Sequence, residues 1–167
     1  MGKIMIRAME LSDIPRAAEI HIFGWRNAYR GIISDDFLFN KLSVVKSINR
    51  FENQMQSNEA DSYVYDDGII KAFMTIGQCR DIDKLKAFEL WGIYVEPFFI
   101  RQGVGSQMIK YCEEIALNRS YKEMCLWVLE ENENAIKFYE KSGYYADGEK
   151  KYIDFLGVVE IRYVKYI

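Results

Sequence analysis

The segment that most constrains the fold runs from Glu89 to Gln107, where an apolar stretch, a glycine-containing loop and a helical pattern follow one another. The apolar stretch ends at Pro97, and Gly103 and Gly105 stand where the helical pattern begins. The first N–H groups of a helix lack helical partners, and the helix dipole favours an anion there. The segment therefore predicts a strand, a loop and a helix whose N-terminus can bind phosphate.

The loop alone leaves the nature of that site open. A dinucleotide fingerprint would need a third glycine where Met108 stands, and a nucleotide P-loop would need Gly-Lys-Ser/Thr, which this loop lacks. Arg101 offers a charge and Ser106 a hydroxyl to a phosphate. A tight glycine turn that merely enters a helix is the alternative.

Periodicity and turn residues predict alternating elements along the rest of the chain. Asp66-Asp67-Gly68 indicates a hairpin, and Gly143 a helix end. No linker or repeat interrupts residues 1–167, so we expect one domain with a three-layer α/β arrangement and a mixed sheet. The predicted strands are 3–9, 63–65, 69–76, 86–95, 124–129, 144–155 and 158–167, and the predicted helices are 13–30, 34–57 with a break near Ser43, 103–118 and 132–142.

Composition limits the partners. The net charge of −3 lacks the basic surplus typical of nucleic-acid binders and suits a cationic partner such as an amine. No uncharged apolar run reaches about 18 residues, so no membrane partner is expected. Cys79, Cys112 and Cys125 are scattered and there is a single histidine, so we expect no metal site and a reduced, cytoplasmic protein.

A second motif connects the phosphate loop to a known family. Residues 126–144 read LWVLEENENAIKFYEKSGY, which closely resembles the strand and Asn-x-x-Ala-x-x-Phe-Tyr-Glu-Lys-x-Gly-Phe pattern of the GNAT family of N-acetyltransferases. The loop resembles the family's acetyl-CoA loop, Gln/Arg-x-x-Gly-x-Gly/Ala, with Ile100 replacing the first residue. Residues 25–31 resemble a first-helix motif of bacterial members. The resemblance spans nearly the whole chain.

The resemblance implies a fold and an activity. The fold would be a three-layer α/β/α sandwich with a mixed, mostly antiparallel, splayed central sheet. The activity would be acetyl transfer from the co-substrate acetyl-CoA to a primary amine, of a small molecule or polyamine, by direct attack in a ternary complex. Acetylation of a protein N-terminus or lysine is one alternative, and a non-catalytic CoA-binding sensor or partner module is another. The edge of the last strand pair could support a homodimer.

The resemblance also assigns residues to acetyl-CoA. Backbone N–H groups near the end of the 86–95 strand would contact the pantetheine arm and the developing oxyanion, and the loop would hold the pyrophosphate. The amide of Asn132 would contact the CoA arm, although an asparagine there also suits a helix cap. The expected cofactor-binding residues are Ile93, Tyr94, Val95, Arg101, Gln102, Gly103, Val104, Gly105, Ser106 and Asn132.

Two residues are candidates for the chemistry. Strand alternation places Glu89 on the same side as Ile93 and Val95. Glu89 resembles the strand glutamate that serves as base in this family, usually through water. The resemblance places the Tyr139 hydroxyl beside the CoA sulfur, where it would act as the acid for the leaving thiolate. The alternatives are a solvent-exposed Glu89 and a core Tyr139.

The first helix suggests where the amine binds. Trp25 and Tyr29 lie one turn apart and could wall a pocket that stabilises an ammonium by cation–π contact. Packing of an amphipathic helix explains the same spacing. The last strand of many family members has a tyrosine beside the substrate, which adds Tyr163 to the expected substrate-binding residues.

Overall fold

A computed structural model describes residues 5–167, and within them the order of strands and helices is the predicted one. The predicted first strand extends to residues 3 and 4, which lie outside the described residues. The predicted break near Ser43 is confirmed, because a short π-helical segment, Phe37–Lys41, ends just before α2 begins. The elements are β1 (Met5–Ala8), α1 (Ile14–Tyr29), α2 (Val44–Ser57), β2 (Asp61–Asp66), β3 (Ile70–Gln78), β4 (Phe88–Val95), α3 (Val104–Asn118), β5 (Glu123–Leu129), α4 (Glu133–Lys141), β6 (Tyr145–Ile153) and β7 (Val158–Tyr166).

The strands form one sheet in the order β1-β2-β3-β4-β5-β7-β6. The β4–β5 pair is parallel, and the other pairs are antiparallel. Apolar side chains of α1 and α2 pack on one face of the sheet, and those of α3 and α4 pack on the other. The predicted three-layer α/β/α fold with a mixed, mostly antiparallel sheet is confirmed.

The sheet opens in its middle. Residues 88–90 of β4 pair with residues 124–126 of β5. Beyond that point β4 continues along β3 to Val95, while β5 continues along β7 to Leu129. The two strands therefore separate, and the backbone groups of β4 that point away from β3 face a gap rather than a neighbouring strand.

A β-bulge in β4 changes which side chains face which helices. Leu90 pairs with Ile76 and Gly92 with Thr75, so Trp91 is an extra residue with no partner in the β3–β4 register. An extra residue moves every later side chain to the opposite face.

The predicted alternation across this bulge is therefore wrong. Ile93 and Val95 pack with α3 in the larger core cluster, whereas Tyr94 packs with α1 and α2. Glu89 lies on the face opposite Leu90, among residues of β5 and the loop after β3.

Two further observations concern partners. Every helix in the described part of the chain, residues 5–167, is too short or too polar to span a bilayer. β6 lies at one edge of the sheet. A homodimer that pairs through the last two strands would need such an edge, and this dimer stays a prediction.

Candidate active site

The loop before α3 has the geometry of an anion cradle. Arg101 and Gly103 adopt positive φ angles of 63° and 81°, which turn the chain sharply into the helix. The first hydrogen bond into α3 joins the Gln107 N–H to the Gly103 carbonyl at 3.1 Å. Among the described residues, the N–H groups of positions 104–106 have no backbone acceptor and lie free at the helix N-terminus. Arg101, Gln102 and Ser106 are exposed beside them.

The two glycines of the loop serve different purposes. A Cβ on Gly103 would meet only Gln107, at 4.0 Å, so its positive φ explains the glycine. A Cβ on Gly105 would stand 3.1 Å from the Phe138 ring and 3.8 Å from Val95. Glycine at 105 therefore lets α3 pack closely on α4 and β4.

Asn132 begins α4. Its Oδ1 accepts a hydrogen bond from the Ala135 N–H at 3.3 Å, so its amide oxygen caps the helix. The cap fixes the start of α4, and Tyr139 follows two turns later. A contact between Asn132 and CoA stays a prediction, and the amide nitrogen is the group left to make it.

Tyr139 lies at the gap between β4 and β5, with Ile93, Val95 and Val128 in the same cluster. Tyr139 is 8% exposed, and none of the hydrogen bonds found among the described residues involves its hydroxyl. Burial raises the pKa of Tyr139, and the neighbouring Tyr94 adds to the rise. The phenol is therefore neutral at physiological pH and keeps a free O–H to donate.

Aromatic residues approach the gap from the α1 face. Trp25 and Tyr29 meet edge to face at 5.0 Å, and Tyr94 lies in the next layer against His21 at 4.9 Å. Burial raises the pKa of Tyr29 well above its usual value, with smaller contributions from Tyr94 and Tyr139. Tyrosines from α1, β4 and α4 thus come near one another around the gap.

Trp25 brings a polar group to this region. Its indole N–H is buried and has no partner of good hydrogen-bonding geometry among the described residues. Burial raises the pKa of Tyr94, and the nearby Trp25 indole N–H lowers it in part. The C-terminal part of α1 also packs over Leu129 and Val158. Trp25 and Tyr29 therefore contribute to the hydrophobic core and also line the α1 side of the gap.

Glu89 is a buried, ion-paired carboxylate. It is 1% exposed, and both of its oxygens are bound by Arg80. The Arg80 backbone N–H donates to Glu89 Oε2 at 3.0 Å and its Nε at 3.2 Å, while its Nη2 donates to Oε1. The Arg80 guanidinium also lies 4.1 Å from the Trp91 ring centroid. The role of Glu89 as base stays a prediction, and proton transfer to it would require Arg80 to give up at least one contact.

Tyr163 lies away from the other proposed substrate residues. It is 4% exposed and belongs to the cluster beneath α3 and α4. Its hydroxyl donates to Glu140 Oε1 at 3.2 Å. The structure brings Trp25 and Tyr29 together but places Tyr163 on the opposite face of the sheet.

Glu160 is a carboxylate on the α1 face that sequence reasoning passed over. It pairs with Leu129 at the end of β7 nearest the gap, and its charge raises the pKa values of both Tyr29 and Tyr94. Its present partner is Lys151 at 3.2 Å, a side chain that is 40% exposed. Period-two alternation from Val158, a buried residue in the cluster with Tyr29, would have placed Glu160 on this face.

A buried arginine fixes the loop between β3 and β4 to the sheet. Arg162, 3% exposed, binds Asp81 at 3.1 Å, Asp83 at 2.6 Å and Asp147 at 2.8 Å. The Trp127 indole N–H also donates to Asp81 at 3.0 Å. This network holds the segment that carries Arg80 and so stabilises one side of the α1 face.

Among residues 5–167, one buried cluster has side chains of metal-ligating type. The Cys79, Glu89 and Cys125 ligand atoms lie within 4.8 Å of one another, and all three residues are buried. Arg80 already binds both Glu89 oxygens, so the carboxylate is not free to coordinate an ion.

The comparisons with known proteins agree with this architecture. The sequence model of the Acetyltransferase (GNAT) family matches residues 27–144. The chain belongs to the GNAT family. The match includes the C-terminal end of α1, the glycine-containing loop before α3 and α4 with Tyr139, which are the parts that surround the gap.

Individual relatives are N-acetyltransferases. The uncharacterized N-acetyltransferase YuaI of Bacillus subtilis (strain 168) is 30% identical over 140 residues, 82% of this chain and 78% of the relative. The spermidine N(1)-acetyltransferase of Thermoplasma acidophilum is 23% identical over 141 residues, 84% of this chain and 88% of the relative. The crystal structure of the PaiA N-acetyltransferase of Thermoplasma acidophilum in complex with coenzyme A superposes with a TM-score of 0.75, 99% coverage of both chains and 19% identity, which shows the fold.

Proposed function

We propose that this GNAT protein transfers the acetyl group of acetyl-CoA to a primary amine of a small molecule or polyamine, by direct attack in a ternary complex. The observation that carries the proposal is the gap between β4 and β5, with Tyr139 on one side and Tyr29 and Tyr94 on the other. A thioester that enters from the α3 face can meet an amine held on the α1 face.

Acetyl-CoA would lie along the α3 face. The free N–H groups of residues 104–106 would hold the pyrophosphate, with Arg101 and Ser106 beside it. The pantetheine arm would then run along Ile93 to Val95, where β4 has unpaired backbone groups. This path brings the sulfur to Tyr139.

The acceptor side suits a cationic amine. Tyr29 and Trp25 present aromatic surface, and Glu160 supplies a carboxylate near Tyr29 and Tyr94. A substrate ammonium can replace the exposed Lys151 in its pair with Glu160. The spermidine acetyltransferase among the relatives is consistent with a polyamine acceptor.

The reaction needs a proton acceptor, because alkyl ammonium groups have pKa values near ~10 and only the neutral amine attacks. We propose Glu160 for this role, since its present partner is an exposed lysine. Glu89, the carboxylate expected from the strand pattern, is the alternative, and it would act once Arg80 moved.

The bond changes follow from this arrangement. The amine nitrogen forms a bond to the acetyl carbon, and backbone N–H groups of β4 stabilise the oxygen that becomes negative. The carbon–sulfur bond then breaks, the electron pair leaves with sulfur, and the thiolate takes up the second proton that the acylated nitrogen loses. Because the pKa of Tyr139 is raised, its hydroxyl stabilises the thiolate as a hydrogen-bond donor rather than by giving up its proton fully. The products are the acetamide, CoA thiol and one proton.

Two measurements test the proposal. Acetyl-CoA should raise Tm by ligand linkage, and no shift at saturating acetyl-CoA would exclude both the enzyme and a CoA-binding sensor. Free-thiol release should then require an amine, in a panel that contains polyamines, other small amines and peptides with free N-termini or lysines. Release with peptides alone would favour protein acetylation, and binding without release with any acceptor would favour the non-catalytic module.

A further inference from the structure

Two of the three cysteines meet inside the fold. Cys79 follows β3 and Cys125 lies in β5, 46 positions later, yet their sulfur atoms are 3.0 Å apart. Both side chains are buried, at 3% and 0% exposure. We propose that Cys79 and Cys125 are an oxidation site, a dithiol that a hydroperoxide converts to a disulfide.

The local geometry gives the two sulfurs unequal roles. The Cys125 thiol donates a hydrogen bond to the Cys79 sulfur. This bond lowers the pKa of Cys79, although burial and, to a smaller extent, the charges of Glu89 and Asp81 oppose it. Cys79 also lines a surface pocket of about 380 Å³ with Arg80 and four other residues, Glu59, Gln78, Leu85 and Trp91. Cys79 lines this pocket and Cys125 does not, so we assign Cys79 as the cysteine that a small oxidant attacks first.

The chemistry balances with one peroxide per pair. The Cys79 thiolate attacks a peroxide oxygen, the O–O bond breaks, and a sulfenic acid forms as hydroxide leaves. The Cys125 sulfur then attacks the Cys79 sulfur, the S–O bond breaks, and water leaves with the thiol proton. The two thiols lose two electrons in total, and these electrons reduce one hydrogen peroxide to two waters.

A metal ion fits this cluster less well. Two thiolates about 2.3 Å from a tetrahedral zinc ion stand about 3.8 Å apart, whereas these sulfurs are 3.0 Å apart. The third group, Glu89, has both oxygens bound by Arg80. The geometry points to a sulfur–sulfur bond.

The disulfide would tie the end of β3 to β5 across β4. Cys125 pairs in register with Glu89, at the closed end of the gap, and Cys79 is followed by the arginine that binds Glu89. The bond would therefore fix the β3–β4 loop beside the candidate site. For a loop of this length, chain-entropy arguments predict a rise in Tm of roughly 10 °C.

Mass spectrometry of the folded protein tests the proposal without reference to acetyl transfer. Hydrogen peroxide should lower the intact mass by about 2 Da, and dithiothreitol should reverse the change. Digestion of the oxidised protein without reductant should yield a linked peptide that contains Cys79 and Cys125. This mapping needs no variant, so a failure of a substituted chain to fold cannot obscure it.

Cys112 provides the matched control. It is fully buried in α3, and burial raises its pKa to about 12. Cys112→Ser should keep the mass loss and the linked peptide, whereas Cys79→Ser and Cys125→Ser should abolish both. Oxygen addition at Cys79 without a linked peptide would overturn the proposal. So would one zinc ion per chain that remains through desalting in the wild type and not in Cys79→Ser.

Discussion

Replacing Tyr139 by phenylalanine separates catalysis from packing at the gap. The substitution keeps the buried ring and removes a hydroxyl that takes part in none of the hydrogen bonds found among the described residues. No intramolecular bond is lost, so the free energy of unfolding should change by less than about 0.5 kcal/mol. If the hydroxyl stabilises the departing thiolate, kcat should fall about 10- to 100-fold, which corresponds to about 1.4 to 2.7 kcal/mol of transition-state stabilisation.

Tyr144 is the matched control. It is 2% exposed, its ring lies 6.2 Å from that of Tyr139, and its hydroxyl is buried without a hydrogen-bond partner of good geometry, although Glu113 is near. Removing an unsatisfied buried hydroxyl should leave stability unchanged or raise it by up to about 1 kcal/mol. Because Tyr144 belongs to the core, Tyr144→Phe should leave kcat unchanged.

The assay pairs urea denaturation with initial rates of thiol release at saturating acetyl-CoA. The expected pattern is unchanged stability and reduced kcat for Tyr139→Phe, with unchanged kcat for Tyr144→Phe. Full turnover in Tyr139→Phe would exclude the hydroxyl as the hydrogen-bond donor to the thiolate and make that tyrosine a packing residue. Equal losses in both variants would indicate a general effect on the core.

Three further predictions follow from other contacts. Glu160→Gln should lower kcat about 10-fold or more at unchanged Tm. Glu89→Gln should lower the free energy of unfolding by about 1 kcal/mol, because it removes the charge of a buried carboxylate whose partner, the Arg80 side chain, is 53% exposed and can be hydrated once released. In initial-rate assays and urea melts, a loss of kcat in Glu89→Gln and not in Glu160→Gln would make Glu89 the base. Burial lowers the pKa of His21 to about 3, well below the value of about 6.5 in the unfolded chain. As the pH falls, the unfolded chain therefore takes up this proton first, and the free energy of unfolding should decrease by about 2 kcal/mol between about pH 7 and about pH 5. Urea melts of His21→Gln should lack that loss. If the variant had the same pH dependence as the wild-type protein, His21 would not be its cause. Gly105→Ala should cost about 1–3 kcal/mol in urea melts, because its Cβ would stand 3.1 Å from the Phe138 ring, and no cost would mean that α3 shifts freely.

The sequence predicted the elements and their layers because each depends on local periodicity and turn residues. The Asp66-Asp67-Gly68 turn and the glycine that begins α3 impose their backbone conformations wherever they occur. The motif at 132–144 likewise predicted the helix that carries Tyr139. These parts needed no knowledge of distant contacts.

What the sequence could not predict depends on long-range pairing. The bulge at Trp91 reverses the faces of β4, and it exists only in the β3–β4 register. Arg80 captures Glu89 through the turn of a loop, and Cys79 meets Cys125 only because β3, β4 and β5 lie side by side. No local pattern marks any of these contacts.

A crystal structure of the protein with coenzyme A would show whether the gap between β4 and β5 is the acetyl-transfer site. We expect the pyrophosphate at the N–H groups of residues 104–106, the pantetheine arm along Ile93 to Val95, and the sulfur within hydrogen-bonding distance of the Tyr139 hydroxyl. Coenzyme A bound elsewhere, or with its sulfur directed away from Tyr139 and the α1 face, would contradict it.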